Sequence, residues 1–251
     1  MRRPFRLSLA LGLTLGTMAI LVVAADSAAA ASAASASYTE TQVSNGGTVR
    51  GRVYFESDFP PPQTTQPDRD ADTCGVRVPS EEFVVDADSK GLAHVVVRIE
   101  GISSGKAFAD AEHAIEQLKC RYSPHVSVVR PGEEFNIINQ DPILHNVHAY
   151  LGDETAFNLA QPFQGQASPQ TLEQEGIVRV ACDVHKWMEA WVLVIESPYF
   201  AITDSSGNFS ISDVPPGSYT ISMWHEILGS GEKTVTVTGD STSTVDFVIG
   251  G

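Results

Sequence analysis

Ala181-Cys182-Asp183-Val184-His185-Lys186-Trp187-Met188 places a thiolate, an imidazole and a thioether within one short loop. Both flanks of that loop read as strands: residues 177–182 are rich in Ile and Val, and 190–195 run Ala-Trp-Val-Leu-Val-Ile. A second stretch upstream, Asp141-Pro142-Ile143-Leu144-His145-Asn146-Val147-His148, ends another extended segment and brings two more imidazoles. The fold has to be one in which two strand ends can meet.

Working outward, residues 48–55 alternate and are rich in β-branched and aromatic side chains, so they read as a strand. Residues 59–72 carry Pro60, Pro61, Pro62 and Pro67 and read as an irregular loop running into Cys74. A short strand is expected at 82–85, a turn at Ser89-Lys90-Gly91, and a strand at 94–99 whose Val95-Val96-Val97 implies burial on both faces. Residues 109–120 fit a helical period through Ala111, Ala114, Ile115 and Leu118, yet also alternate; the reading adopted is a strand. Residues 126–129 and 134–138, around Arg130-Pro131-Gly132-Glu133, read as a hairpin-like pair. Residues 151–172, broken by Gly152, Pro162, Gly165 and Pro169, read as loops around Phe157 and Phe163. Beyond 198 come short strands at 208–211, 218–224, 233–237 and 243–249, separated by turns such as Val214-Pro215-Pro216-Gly217. Regular structure is therefore all-β, arranged as sandwiches.

The chain has 251 residues, room for one large or two small domains. It opens with Arg2, Arg3 and Arg6, an apolar run over 7–24 and an Ala/Ser tract over 27–37. That order is expected of a signal peptide with its processing segment over 1–36, hence a periplasmic or secreted protein without a stable membrane span once cleaved. An uncleaved anchor is the alternative, because the run approaches the length of a span. The formal net charge is −15, and loss of Arg2, Arg3, Arg6 and Asp26 would leave 13 basic against 30 acidic side chains, −17. Such a surface argues against nucleic acid and suits basic partners. The three cysteines are Cys74, Cys120 and Cys182. If Cys74 and Cys120 pair in an oxidising compartment, Cys182 is left free.

A free thiolate with two imidazoles and a thioether is a donor set that suits copper: two His and one Cys in a plane with a long axial Met make the blue-copper electron-transfer geometry. Cys182, His185 and Met188 can face one centre from one loop, and His145 closes the plane. Zinc held by Cys182, His185, His145 and His148 is the competing reading. Strand alternation weakens it, since residues three apart point to opposite faces. His125 and His225 are candidates for a second metal site or, more simply, structural histidines. Trp187 and Trp191 read as packing beside the loop. No catalytic residue, phosphate-binding glycine loop or serine-nucleophile signature is present, and an enzyme is not expected.

The two ligand segments resemble those of cupredoxins, the type 1 blue copper proteins, in their amicyanin and plastocyanin-like branch. The resemblance implies a Greek-key β-sandwich over 102–197 with His145, Cys182 and His185 as equatorial ligands and Met188 as the axial one. It also implies that Asn146 ties the two segments, that His148 does not bind copper, and that His185 is the partly exposed ligand through which electrons pass. Thr203-Asp204-x-x-Gly207-x-Phe209 followed by Val214-Pro215-Pro216-Gly217-x-Tyr219 resembles carboxypeptidase regulatory-like, transthyretin-like domains. That implies a second, smaller β-sandwich over 198–251, to which 46–101 would contribute through Gly47-Thr48-Val49-Arg50-Gly51-Arg52-Val53. The function implied is single-electron carriage between redox protein partners, with a copper-handling module as the alternative.

Overall fold

The computed structural model describes residues 38–109 and 113–250. The expected signal segment 1–36 and residues 110–112 of the ambiguous stretch lie outside them. Among the described residues the regular structure is strand, apart from the four-residue helix Ala71–Cys74. No helix among them is long and apolar enough to cross a membrane.

Period-2 alternation builds the first sandwich. In Glu134–Asn139 it turns Phe135 and Ile137 inward, and in His145–Leu151 it turns His145, Val147 and Ala149 inward. One sheet runs in the order Ala167–Thr171, Glu134–Asn139, Ala114–Gln117, Tyr122–Ser123. The other runs Glu154–Gln161, His145–Leu151, Gly176–Ala181, Glu189–Val194, Val126–Val129. Phe135, Ile137, Val147, Val178, Val180 and Val192 share the core between them.

The structure departs from four expectations. Val126–Val129 and Glu134–Asn139 are strands but not a hairpin: the first pairs in parallel with Glu189–Val194, the second with Ala114–Gln117 and Ala167–Thr171. The turn between them carries the chain from one sheet to the other, fastened by Gly132 N donating to Leu172 O at 2.9 Å. Residues 151–172 are not loops but contain Glu154–Gln161 and Ala167–Thr171, the outermost strands of the two sheets. An edge strand shows much of its surface to water and tolerates Pro169, so the apolar alternation that marks a strand is missing. Residues 82–85 form no strand; Val85 makes an isolated bridge with Leu92, and Phe83 stacks edge-on against Phe55 at 5.3 Å. The proline-bearing loop is also more ordered than expected, with Thr64–Thr65 paired to Val78–Pro79.

The second sandwich is assembled from both ends of the described chain. Gly47–Phe55 pairs with Asn208–Val214, Thr242–Thr244 and Phe247–Ile249. Val96–Ile99 lies between Phe200–Ile202 and Gly217–His225, and Gly229–Val237 completes that sheet. Gly51 is a close-approach position: a Cβ there would lie 1.7 Å from Val245 O.

The run Val95-Val96-Val97 is buried on both faces, as its composition requires. Val95 and Val97 point into the second core, while Val96 joins Val126, Val128, Leu193 and Ile195 in an apolar seam between the sandwiches. Trp191 and Trp224 meet across that seam with ring centroids 5.4 Å apart. A polar network runs through it: Trp191 Nε1 donates to Glu226 Oε2 at 2.7 Å, His125 Nε2 bonds Glu226 Oε1, and His125 Nδ1 donates to Glu189 O at 3.2 Å. His94, at φ 63, stands with its ring 5.2 Å from that of His125. His225 is 1% exposed, and its Nε2 has no protein partner.

Burial, the largest cause, pushes His94 and His225 down to about 4. Between that value and 6.5 the unfolded chain binds protons that the folded chain refuses, so acid costs stability at about 1.4 kcal/mol per pH unit for each such group. Chemical denaturation of His225→Gln at several pH values from 4 to 6.5 should therefore show a shallower loss of stability towards acid than the parent protein. Parallel curves would mean that His225 is not held neutral.

Candidate metal centre

The loop 182–188 is a hairpin connection closed by the pair Ala181 and Glu189. Cys182 N donates to Met188 O at 3.3 Å and Met188 N to His185 O at 2.9 Å, which folds the loop back over its own start. Two N–H groups, of Asn146 and His185, donate to Cys182 Sγ, each at 3.4 Å. His145 opens the neighbouring strand, so its side chain enters the same end of the sandwich. Cys182 is the free cysteine, while Cys74 and Cys120 form a disulfide.

The imidazoles of His145 and His185 turn the same atom inward. Their Nδ1 atoms stand 3.1 Å apart, and Cys182 Sγ lies 3.8 Å from His185 Nδ1. Both outer nitrogens are spoken for. His145 Nε2 donates to Asp141 Oδ2 at 2.9 Å, and His185 Nε2 to Asp70 Oδ2 at 2.9 Å. A neutral imidazole that donates through Nε2 has a lone pair at Nδ1. Two lone pairs and a sulfur therefore confront one another in a dry pocket, with His145 and His185 both 0% exposed. Only a cation or a proton between them relieves that contact. The separations would suit a metal ion: with bonds of about 2.0 Å to imidazole nitrogen and about 2.3 Å to thiolate, His145, His185 and Cys182 could hold one ion together. Met188 is 1% exposed and belongs to the same apolar cluster as Cys182.

Electrostatics favour the charged donor. Burial pushes the Cys182 thiol up, but hydrogen bonding by His145 and by the N–H groups of Asn146, His185 and Val184 outweighs it and holds the thiol below its ordinary range. Burial pulls both histidines down. For His145 the bond to Asp141 and the nearby Cys182 reverse the direction, whereas His185 stays low despite Asp70.

His148 is turned away, as alternation requires. It lies against Asp183 Oδ2 at 3.1 Å and Thr155 Oγ1 at 3.0 Å and stacks on Tyr150 with ring centroids 3.9 Å apart. Asn146 links the two segments, its Oδ1 accepting from Asp183 N at 3.1 Å. His125 and His225 lie in the seam, outside the groups whose ligand atoms all come within 4.8 Å of one another.

One expectation fails. His185 is not a partly exposed ligand: the segment bearing Asp70 covers it, and Trp187 stands beside it at 5.2 Å between ring centroids. Sequence reasoning also missed Asp141 and Asp70, the groups that orient the rings, and Tyr122, whose hydroxyl sits 2.9 Å from Asn146 O and 3.2 Å from Ala181 O. Asp141 lies four residues before His145, a usable local signal. Asp70 is 115 positions from His185, too far apart for any local pattern to connect them, and its segment is brought over the site beside the Cys74–Cys120 disulfide.

A carboxypeptidase regulatory-like domain model matches residues 188–250. The match begins at the end of the ligand loop and takes in the C-terminal strands of the second sandwich. Among solved structures, a purple cupredoxin from Nitrosopumilus maritimus is 21% identical, covering 34% of this chain and 100% of its own, with a TM-score of 0.31. Amicyanin from Paracoccus versutus is 21% identical over 35% of this chain and 84% of its own, TM-score 0.31. A copper-containing nitrite reductase from Thermus scotoductus SA-01 is 17% identical over 37% of this chain and 24% of its own, TM-score 0.30. No curated protein matches the chain.

The orienting role of Asp141 is open to measurement. Its carboxylate also accepts from Lys119 N at 2.7 Å and Cys120 N at 2.8 Å. Asp141→Ala leaves three donors unpaired, those of Cys120 and His145 buried and that of Lys119 partly so, and should cost at least about 2 kcal/mol in chemical denaturation. His148→Ala, whose polar partners are at the surface, should cost less than about 1 kcal/mol and leave metal uptake unchanged. Equal effects of the two substitutions would contradict the geometry drawn here.

Proposed function

We propose that the protein is an exported type 1 copper protein that carries single electrons between other redox proteins, with His145, Cys182 and His185 as close ligands and Met188 as the distant axial one. The observation that carries this reading is the convergence of two inward-turned Nδ1 atoms and the free thiol of Cys182 on one dry point. Copper bound there would supply a one-electron couple between Cu(II) and Cu(I). The sulfur donors favour it over harder ions, and His148, which zinc could have used as a fourth ligand, is engaged elsewhere.

The chain's own part is to hold the donors still. Paired strands fix the ends of the ligand loop, Asn146 bridges the two segments, and carboxylates grip both outer ring nitrogens. A site that keeps its donors in place has little to rearrange when an electron arrives or leaves. Export is supported by the basic and apolar N-terminal segment and by the Cys74–Cys120 disulfide. The net charge of −15 suits redox partners with basic docking faces.

Adding Cu(II) to the purified protein should produce intense visible absorption from thiolate-to-copper charge transfer, absent in Cys182→Ser, together with reversible one-electron voltammetry. Colour without reversible reduction would leave copper handling as the function. No colour at all would overturn the type 1 assignment.

A further inference from the structure

Asp70 occupies the N-cap position of helix Ala71–Cys74 in a left-handed conformation, φ 51 and ψ 32. An aspartate there ordinarily turns its carboxylate onto the N–H groups of its own first turn. This one makes no such bond; Thr73 N and Cys74 N donate instead to its backbone carbonyl, each at 2.9 Å. The carboxylate is free to leave the helix, and it accepts the Nε2–H of His185. Four residues on, Cys74 is bonded to Cys120, and Cys120 N donates to Asp141, the partner of His145. A single corner of the molecule thus carries the carboxylates that orient both rings. The His185 side chain is 0% exposed beneath an Asp70 side chain that is 40% exposed.

We propose that Asp70 is a positioning residue, which locks His185 as the Nε2–H tautomer with Nδ1 turned inward, and that its segment, pinned by the Cys74–Cys120 disulfide, is a cover over the ring edge through which solvent and small ligands would otherwise reach the metal. The cover rests on the copper reading for its consequence at the metal, whereas the tautomer lock holds for the metal-free protein as well. A ring anchored at both nitrogens cannot swing away when the charge at the site changes.

The first test is nitrogen-detected NMR of the histidine side chains in the metal-free protein. The parent should show His185 as a single Nε2–H tautomer. Asp70→Asn, whose amide oxygen still accepts a hydrogen bond and which tolerates the left-handed conformation, should keep that signature, and Asp70→Ala should lose it. An unchanged tautomer in Asp70→Ala would overturn the lock.

The second test is the rate at which a strong cuprous chelator withdraws copper from the reduced, loaded protein. Asp70→Ala and the double variant Cys74→Ala/Cys120→Ala should release copper at least about tenfold faster than the parent, with Asp70→Asn close to parental. Both Asp70 variants should also have a higher reduction potential, because the loss of a negative charge beside the site favours Cu(I). Equal release rates would overturn the cover. Failure of every form to take up copper would contradict the metal reading, while the NMR result would still decide on the lock.

Discussion

Two hydrogen bonds set the character of this protein: Nε2–H of His145 to Asp141 and Nε2–H of His185 to Asp70, both at 2.9 Å. Each turns a ring so that its other nitrogen faces Cys182. Without them a buried imidazole could present an N–H inward, and the pocket would hold donors where it now holds lone pairs. Much of the surrounding structure keeps those carboxylates in place. Asp141 takes two backbone N–H groups from Lys119 and Cys120, both in left-handed conformations, and Cys120 carries the disulfide that brings the Asp70 segment over the site.

The same economy appears in the packing. Strands that supply the first core also supply the seam, with Val192 and Val194 facing one way and Leu193 and Ile195 the other. The second sandwich answers with Val96, Phe200, Ile202 and Trp224. The polar network through the seam begins at Glu189, directly after Met188, and ends at Glu226. The second sandwich is thus in contact with the strand that leaves the ligand loop, which ties the rigidity of the loop to packing well outside the first core.

Much of this was legible in the amino-acid sequence. The loop 182–188, the strands on either side of it and the all-β class announce themselves through short-range pattern, whereas the pairing of Cys74 with Cys120 stands in the sequence only as one way to pair three thiols. His148 is excluded by alternation alone, because period 2 sends it to the face opposite His145. What escaped was non-local or lay at an edge. Glu154–Gln161 and Ala167–Thr171 border their sheets and carry polar faces, so they look like loops. Val126–Val129 and Glu134–Asn139 look like a hairpin because the turn between them is short, yet their partners lie elsewhere. His185 looks exposed by resemblance to simpler sandwiches, and the segment that covers it belongs to a proline-bearing stretch whose role depends on a disulfide rather than on periodicity.

X-ray absorption at the copper edge of the loaded protein counts and ranges the atoms bound to the ion. The expected result is a single short sulfur at about 2.3 Å or less together with two imidazole nitrogens at about 2.0 Å, with loss of the sulfur alone in Cys182→Ser. A first shell of nitrogen and oxygen only, or one that keeps its sulfur after that substitution, would contradict it.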